Sequence, residues 1–219
     1  SAQGLGIAWN GTQWVAGGEG TANSIATSSD GITWTGQGKS VFTTYGRGVV
    51  WIGDKWVMVG QGTTFKIATS TDGVTWTGRT SPFTTQAIGV AWNGSIAVAV
   101  GAGGATLATS TDGVTWTSRT SPFSSDGQGV CWNGVRFIAG GSGGNTIGYS
   151  KDGITWYGAP SSTSVISVDT YGVGSNPKVG ATIVASKLSI SQGQSLIVNT
   201  PPYYDSGTSI DTSLTFKLS

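Results

Sequence analysis

The sequence predicts an all-β fold made of tandem repeats, because two motifs recur at one spacing of about 40 residues. The first motif is Asp-Gly-x-Thr-Trp, and its four aspartates are Asp30, Asp72, Asp112 and Asp152. The second is Gly-x-x-Trp, and its four tryptophans are Trp9, Trp51, Trp92 and Trp132. Two motifs that keep step with each other indicate one structural unit repeated along the chain.

Each unit is predicted to contain four short strands. The Gly-x-x-Trp segment is the first strand, and an Asn-Gly pair such as Asn93-Gly94 forms a hairpin turn to the second strand. A glycine-rich loop leads to a third strand such as residues 67–70, and the Asp-Gly turn leads to the fourth. Four strands in about 40 residues are typical of one blade of a β-propeller.

The sequence therefore predicts a β-propeller domain over residues 1–159 and a separate C-terminal β module over residues 160–219. The four blades are expected at about residues 5–42, 43–83, 84–123 and 124–159. Beyond Trp156 the motifs stop and segments of alternating polarity follow, for example residues 181–190. This C-terminal part is expected to be a module of its own, a partial fifth blade, or strands that pair with a neighbouring subunit.

The Asp-Gly turns have a structural explanation. An aspartate carboxylate accepts hydrogen bonds from backbone N–H groups of a turn, and glycine supplies a positive φ. A tryptophan that follows the turn buries a large apolar area over it. The tryptophans in that place are Trp34, Trp76, Trp116 and Trp156. We therefore expect these tryptophans and the four aspartates to be part of the scaffold.

Composition excludes several classes of function. Only 10% of the residues are charged, the net charge is +1 and like charges do not cluster, so no nucleic-acid partner is expected. No apolar run approaches the roughly 20 residues that a membrane helix needs. Histidine is absent and Cys131 is the single cysteine, so we expect no intrachain disulfide, metal site or cofactor. Cys131 lies in an apolar run and is expected to be buried.

The Ser-x-Asp-Gly-x-Thr-Trp turns resemble the Asp-box of sialidase-type and related propellers, Ser-x-Asp-x-Gly-x-Thr-Trp, without the residue between Asp and Gly. The resemblance covers residues 5–158 and implies a ring of blades with the turns at the periphery of one face. It implies sialidase activity only where an arginine cluster, a tyrosine nucleophile paired with a glutamate, and an acidic proton donor are present. Arg79 and Arg119 lie in a repeated connector, and Glu19 is the only glutamate. The chain is therefore expected to be a non-catalytic member.

Other glycosidases require two carboxylates in one site. Four aspartates are assigned to turns and the remaining ones are scattered, while serine-nucleophile chemistry lacks its histidine. We therefore predict no catalytic residues and no enzymatic activity, with a divergent glycosidase as a third hypothesis.

A ligand is expected where the repeats differ, on the face that carries the blade connectors and the loops between second and third strands. The candidate ligand-binding residues there are Tyr45, Arg47, Gln86, Asp126, Gln128, Glu19, Phe65 and Lys66. Aromatic and amide side chains of this kind would suit a neutral sugar. Asn10 and Asn93 begin formal glycosylation sequons within tight turns.

These observations lead to one main hypothesis about function. We expect a non-enzymatic structural component of an extracellular or virion-surface assembly, such as a fibre, filament or spike. The propeller would be the exposed body, and the C-terminal strands would mediate self-association. A carbohydrate-binding, lectin-like propeller is the alternative. The surface location is inferred from the low charge and from the many serine, threonine, glycine and tryptophan residues.

Overall fold

A computed structural model of the chain describes residues 3–165, which belong to one compact unit. The prediction of an all-β fold is confirmed, since these residues form sixteen strands and one helical turn. The strands form four antiparallel meanders of four strands each, in chain order. The third and fourth meanders are joined by a single pairing between Ala102 and Asp126.

The strands of the first two meanders, here called sheets 1 and 2, are short. Sheet 1 contains β1 (Gln3–Trp9), β2 (Trp14–Glu19), β3 (Ile25–Ser28) and β4 (Thr35–Gly36). Sheet 2 contains β5 (Tyr45–Trp51), β6 (Trp56–Gln61), β7 (Ile67–Ser70) and β8 (Thr77–Arg79).

Sheets 3 and 4 repeat this order with longer inner strands. Sheet 3 contains β9 (Phe83–Trp92), β10 (Ala97–Gly104), β11 (Leu107–Ser110) and β12 (Thr117–Ser118). Sheet 4 contains β13 (Phe123–Trp132), β14 (Phe137–Gly144), β15 (Ile147–Ser150) and β16 (Tyr157–Gly158). Phe83 begins β9 of sheet 3, and Phe123 begins β13 of sheet 4. The third and fourth repeats were expected to begin at about residues 84 and 124.

Three apolar clusters hold successive sheets together. Val15 and Ile25 of sheet 1 lie in one cluster with Trp56 and Met58 of sheet 2. The second cluster joins residues of sheets 2 and 3, and the third joins residues of sheets 3 and 4. Neighbouring sheets therefore pack face to face through buried apolar side chains.

The first strands of the four sheets also lie side by side. β1 packs beside β5, β5 beside β9, and β9 beside β13. Among the described strands, no comparable packing joins sheet 4 to sheet 1. Residues 3–158 thus form a series of four four-stranded sheets with three interfaces between successive sheets.

A single helical turn, α1 (Ser162–Val165), follows sheet 4. No helix among the described residues is long and apolar enough to span a membrane. The C-terminal module expected over residues 160–219 lies outside the described residues from residue 166 onwards. Cys131 is buried, as its apolar neighbours indicated, and burial raises the pKa of its thiol.

Candidate functional site

The Asp-Gly turns share one hydrogen-bond pattern in all four sheets, shown here for sheet 2. The Oδ1 atom of Asp72 accepts hydrogen bonds from the backbone N–H groups of Val74, at 2.8 Å, and Thr75, at 2.7 Å. The Ser70 hydroxyl donates to the same oxygen at 2.8 Å and accepts from the Gly73 N–H at 2.8 Å. One carboxylate oxygen thus closes the whole turn.

Glycine and tryptophan complete each turn. Gly73 has a φ of 75°, a conformation that L-residues with side chains rarely adopt. The Trp76 Nε1–H donates to the Gly73 carbonyl oxygen at 2.9 Å, and the three equivalent bonds are present in the other sheets. Backbone groups and neighbouring turn residues thus bond to the aspartate Oδ1 and to the tryptophan Nε1 in every one of these turns.

These hydrogen bonds hold the pKa of each turn aspartate at about 2, below its ordinary value of 3.8. For Asp30, Asp72 and Asp112 the largest effect on the pKa is the hydrogen bond from the backbone N–H of the threonine three residues later, which lowers it. For Asp152 burial is the largest effect and raises the pKa. The N–H groups of Thr155 and Ile154 and the Ser150 hydroxyl together outweigh it.

This arrangement predicts a loss of stability in acid. Because the pKa is lower in the folded chain than in the unfolded chain, each turn stabilises the fold above about pH 4. That contribution should decline as the pH falls from about 4 to about 2. Denaturation followed by tryptophan fluorescence at several pH values should show it. Replacing Asp72 with asparagine should remove one of the four contributions, and equal stability at pH 4 and pH 2 would contradict the prediction.

The connector face brings together some of the predicted ligand-binding residues. Tyr45 begins β5, and its hydroxyl donates to Oε1 of Gln86 on the neighbouring β9. Asp126 holds the same place in β13 and pairs with Ala102 of β10. These three residues therefore lie on successive sheets, and two of them are bonded to each other.

Arg47 and Gln128 lie at a β-bulge, which the sequence patterns did not predict. The pairing of β5 with β6 skips Arg47, between Gly46 and Gly48, and that of β13 with β14 skips Gln128. Such a bulge turns a side chain away from the regular alternation of the strand. Ile88, at the same repeat position of sheet 3, is buried.

The remaining candidates lie in the loops between second and third strands. Glu19 is exposed at the end of β2, opposite Gln3. Lys66 is buried, and its Nζ donates to the Gly62 carbonyl oxygen of its own loop. Phe65 is partly buried against the core between sheets 1 and 2, and its ring occupies the space over Gly78. Lys66 is thus bonded within its own loop, and Phe65 packs against the sheet core and over Gly78.

Two shallow grooves lie beside the repeated connectors, and none of the predicted ligand-binding residues lines either of them. One is lined by Arg119, Pro82 and Thr106, and the other by Arg79, Pro82 and Trp116. The Nε of each arginine donates to a threonine hydroxyl of its own sheet, at 2.8 Å for both Arg79 and Arg119. Both arginines therefore anchor the fourth strand of a blade.

The sequon asparagines are turn residues in the structure. Oδ1 of Asn10 accepts from the N–H groups of Thr12, at 2.9 Å, and Gln13, at 2.7 Å. Asn93 makes the equivalent bonds to Ser95 and Ile96. Within residues 3–165, no group of three or more acidic or cysteine side chains is placed to hold a metal ion.

Sheet 1 presents an apolar surface that the sequence analysis did not single out. We call it the leading face of sheet 1 and define it by Ile7, Trp9, Trp14 and Trp34. Ile7 is 57% exposed and Trp9 is 42% exposed. At the place of Trp14, Trp56 of sheet 2 and Phe137 of sheet 4 are fully buried. The repeat alignment contained the signal, because the positions of Ile7, Trp9 and Trp34 in sheets 2 to 4 lie in the apolar clusters between sheets or pack against them.

Comparison with known proteins shows similarity at the level of fold. No protein-family model matches the sequence, and no curated protein matches it. The GH74 enzyme of Niastella koreensis superposes with a TM-score of 0.55 at 17% identity, over 72% of this chain and 24% of the enzyme. This chain therefore spans about a quarter of the length of that enzyme.

Two further solved structures are similar. The computationally designed Ika4 protein matches with a TM-score of 0.52 and 12% identity, over 70% of this chain and 92% of Ika4. YCF48, solved with a bound D1 peptide, matches with a TM-score of 0.50 and 17% identity, over 71% of this chain and 52% of YCF48. At these identities the likeness shows the fold alone, a propeller-type repeat.

Proposed function

We propose that this chain is a non-enzymatic structural protein that associates with copies of itself as part of an extracellular or virion-surface assembly. The observation that carries the proposal is the leading face of sheet 1. It exposes Ile7, Trp9 and Trp34, although the same repeat positions pack between blades elsewhere in the chain. Adjacent exposed apolar side chains of this size mark a surface of interaction.

We also propose a specific form of the propeller-type fold. The four sheets would be four blades of one propeller, and the Asp-Gly turns would be a shortened form of the Asp-box. The hydrogen bonds from Ser70, Val74 and Thr75 to Asp72 support a scaffold role for these turns. The number of blades in the complete ring then depends on what covers the leading face.

The predicted ligand-binding face supports an inert role better than a catalytic one. The Tyr45 hydroxyl and the Gln86 side-chain oxygen are bonded to each other, and the Lys66 ammonium is bonded within its loop. The turn carboxylates accept three hydrogen bonds each on one oxygen, for example in Asp112. A carboxylate with a pKa of about 2 is a poor proton donor near neutral pH.

The experiment is a sedimentation-velocity series on the full chain over a wide range of micromolar concentrations. We expect species heavier than one chain, which increase with concentration. Negative-stain electron microscopy of the same samples would show their form. A chain that remains monomeric at every concentration would contradict self-association, and turnover of a panel of glycoside substrates would contradict the non-enzymatic role.

A further inference from the structure

We propose that the leading face of sheet 1 packs against sheet 4 of a second copy, so that two chains close one ring of eight blades. The inference rests on the proposed self-association and names the surfaces and the partner. It follows from the internal repeats, because three of the four blades show what covers a leading face.

In each later blade, the leading face packs against aliphatic side chains from the second and third strands of the preceding sheet. Trp56 and Met58 of sheet 2 are fully buried in the cluster that contains Val15 and Ile25 of sheet 1. In sheet 4, Phe137 is buried in the cluster that contains Val98 and Leu107 of sheet 3. A leading face therefore requires the aliphatic face of another blade.

Sheet 4 carries such an aliphatic face. Ile138 lies at the repeat position of Val15, Val57 and Val98, which are all fully buried. Ile147 lies at the position of Ile67 and Leu107, which are also fully buried. Ile138 and Ile147 are only half-buried. The residues that cover a leading face elsewhere in the chain thus retain exposed surface in sheet 4.

The charged groups at the same edges are complementary. Between sheets 2 and 3, the Lys55 ammonium donates to the carbonyl oxygen of Asp112, in the Asp-Gly turn, at 3.2 Å. Arg136 has the place of Lys55 in sheet 4 and is exposed. Asp30 has the place of Asp112 in sheet 1 and is also exposed. In the proposed contact, Arg136 of one copy would reach the Asp30 turn of the other.

The number of copies follows from the requirement that the ring of blades closes. Within the described residues, sheets 1 and 4 of one chain lack the packing that joins neighbouring sheets. Propellers typically have about 4 to 8 blades, so a ring made from whole copies of four blades closes with two chains. A two-fold axis would make the two new interfaces identical and would leave no blade face uncovered.

The test compares full-length variants by sedimentation velocity and native mass spectrometry. Ile7→Lys places a charge in the leading face, and Ile147→Lys places one in the opposing face of sheet 4. Val74→Lys is the matched control, because Val74 is exposed at the tip of the sheet 2 turn. Circular dichroism and thermal unfolding of each variant at low concentration show whether it is folded.

The wild-type chain should form a dimer, and acrylamide quenching of its tryptophan fluorescence should decrease as the dimer forms and covers Trp9 and Trp34. Ile7→Lys and Ile147→Lys should each raise the dissociation constant by about 100-fold, as expected for side chains at the centre of an interface. Val74→Lys should not change it.

A monomeric wild-type chain would overturn both this inference and the proposed self-association. Association that proceeds without a dimer, without a change in quenching, or equally well in Ile7→Lys and Ile147→Lys would overturn this inference alone. If a lysine variant does not fold, the mass and the quenching of the wild-type chain still decide the outcome.

Discussion

Replacing Trp56 with alanine should lower the free energy of unfolding by about 3–5 kcal/mol, the usual range for a large aromatic side chain in a core. Trp56 is fully buried between sheets 1 and 2, where it packs with Met58, Val15 and Phe42. Its loss would leave a cavity in the interface that joins the first two blades. Urea denaturation followed by circular dichroism would measure the change.

Two matched variants give this prediction its control. Trp56→Phe should lower the free energy of unfolding much less than Trp56→Ala does, because Phe137 fills the same repeat position in sheet 4 and is also fully buried. The indole Nε1 of Trp56 has no hydrogen-bond partner among the described residues, so phenylalanine loses no bond there. Val74→Ala, at an exposed turn, should change stability by no more than about 0.5 kcal/mol. Similar losses in all three variants would contradict the packing argument.

The regular part of the fold was predictable because the repeats encode it locally. The spacing of Asp30, Asp72, Asp112 and Asp152 indicated four turns, and each turn is closed by residues within three positions of its aspartate. The hairpin after Trp92 was predicted from Asn93-Gly94 for the same reason. Local hydrogen bonds of this kind depend on neighbouring residues alone, so a sequence pattern suffices to find them.

The candidate site was less predictable, because it depends on contacts between blades. Phe65 and Lys66 vary between repeats, which suggested a ligand face, yet both pack within the protein. The bulge that displaces Arg47 arises from the register of two strands, and no single strand pattern records it. The exposure of Ile7 and Trp9 depends on which blade precedes sheet 1. A sequence states that these residues are apolar and does not state whether another blade covers them.

Whether another sheet covers an apolar position also explains how one repeat can serve both as scaffold and as interface. Trp14 and Trp56 occupy one repeat position, and they differ because a blade covers Trp56 and none of the described blades covers Trp14. The proposed assembly surface would therefore require no new motif, since a sheet face that lacks its neighbouring sheet already exposes apolar side chains.

Gly101→Ala should destabilise the fold by about 3 kcal/mol or more, the upper end of the range for added volume in a packed interior. A Cβ atom at Gly101 would collide with the Gln86 carbonyl oxygen and would lie 2.9 Å from the Ala87 Cα. Both are backbone atoms of the paired strand β9, so no side-chain rotation relieves the clash. The equivalent glycines Gly18, Gly60 and Gly141 meet the same carbonyl of their own blades.

Gly4→Ala is the matched control, because no heavy atom lies within 4 Å of a Cβ at that position of β1. We expect its stability to change by less than about 1 kcal/mol, since an added methyl group there mainly restricts the unfolded chain. Thermal unfolding of both variants beside the wild-type chain would compare them. Equal stability of Gly101→Ala and Gly4→Ala would mean that β9 and β10 can separate without cost. A large effect at Gly101 would show that sheet 3 requires the close approach of β9 and β10 beside the bulge between Val100 and Gly101.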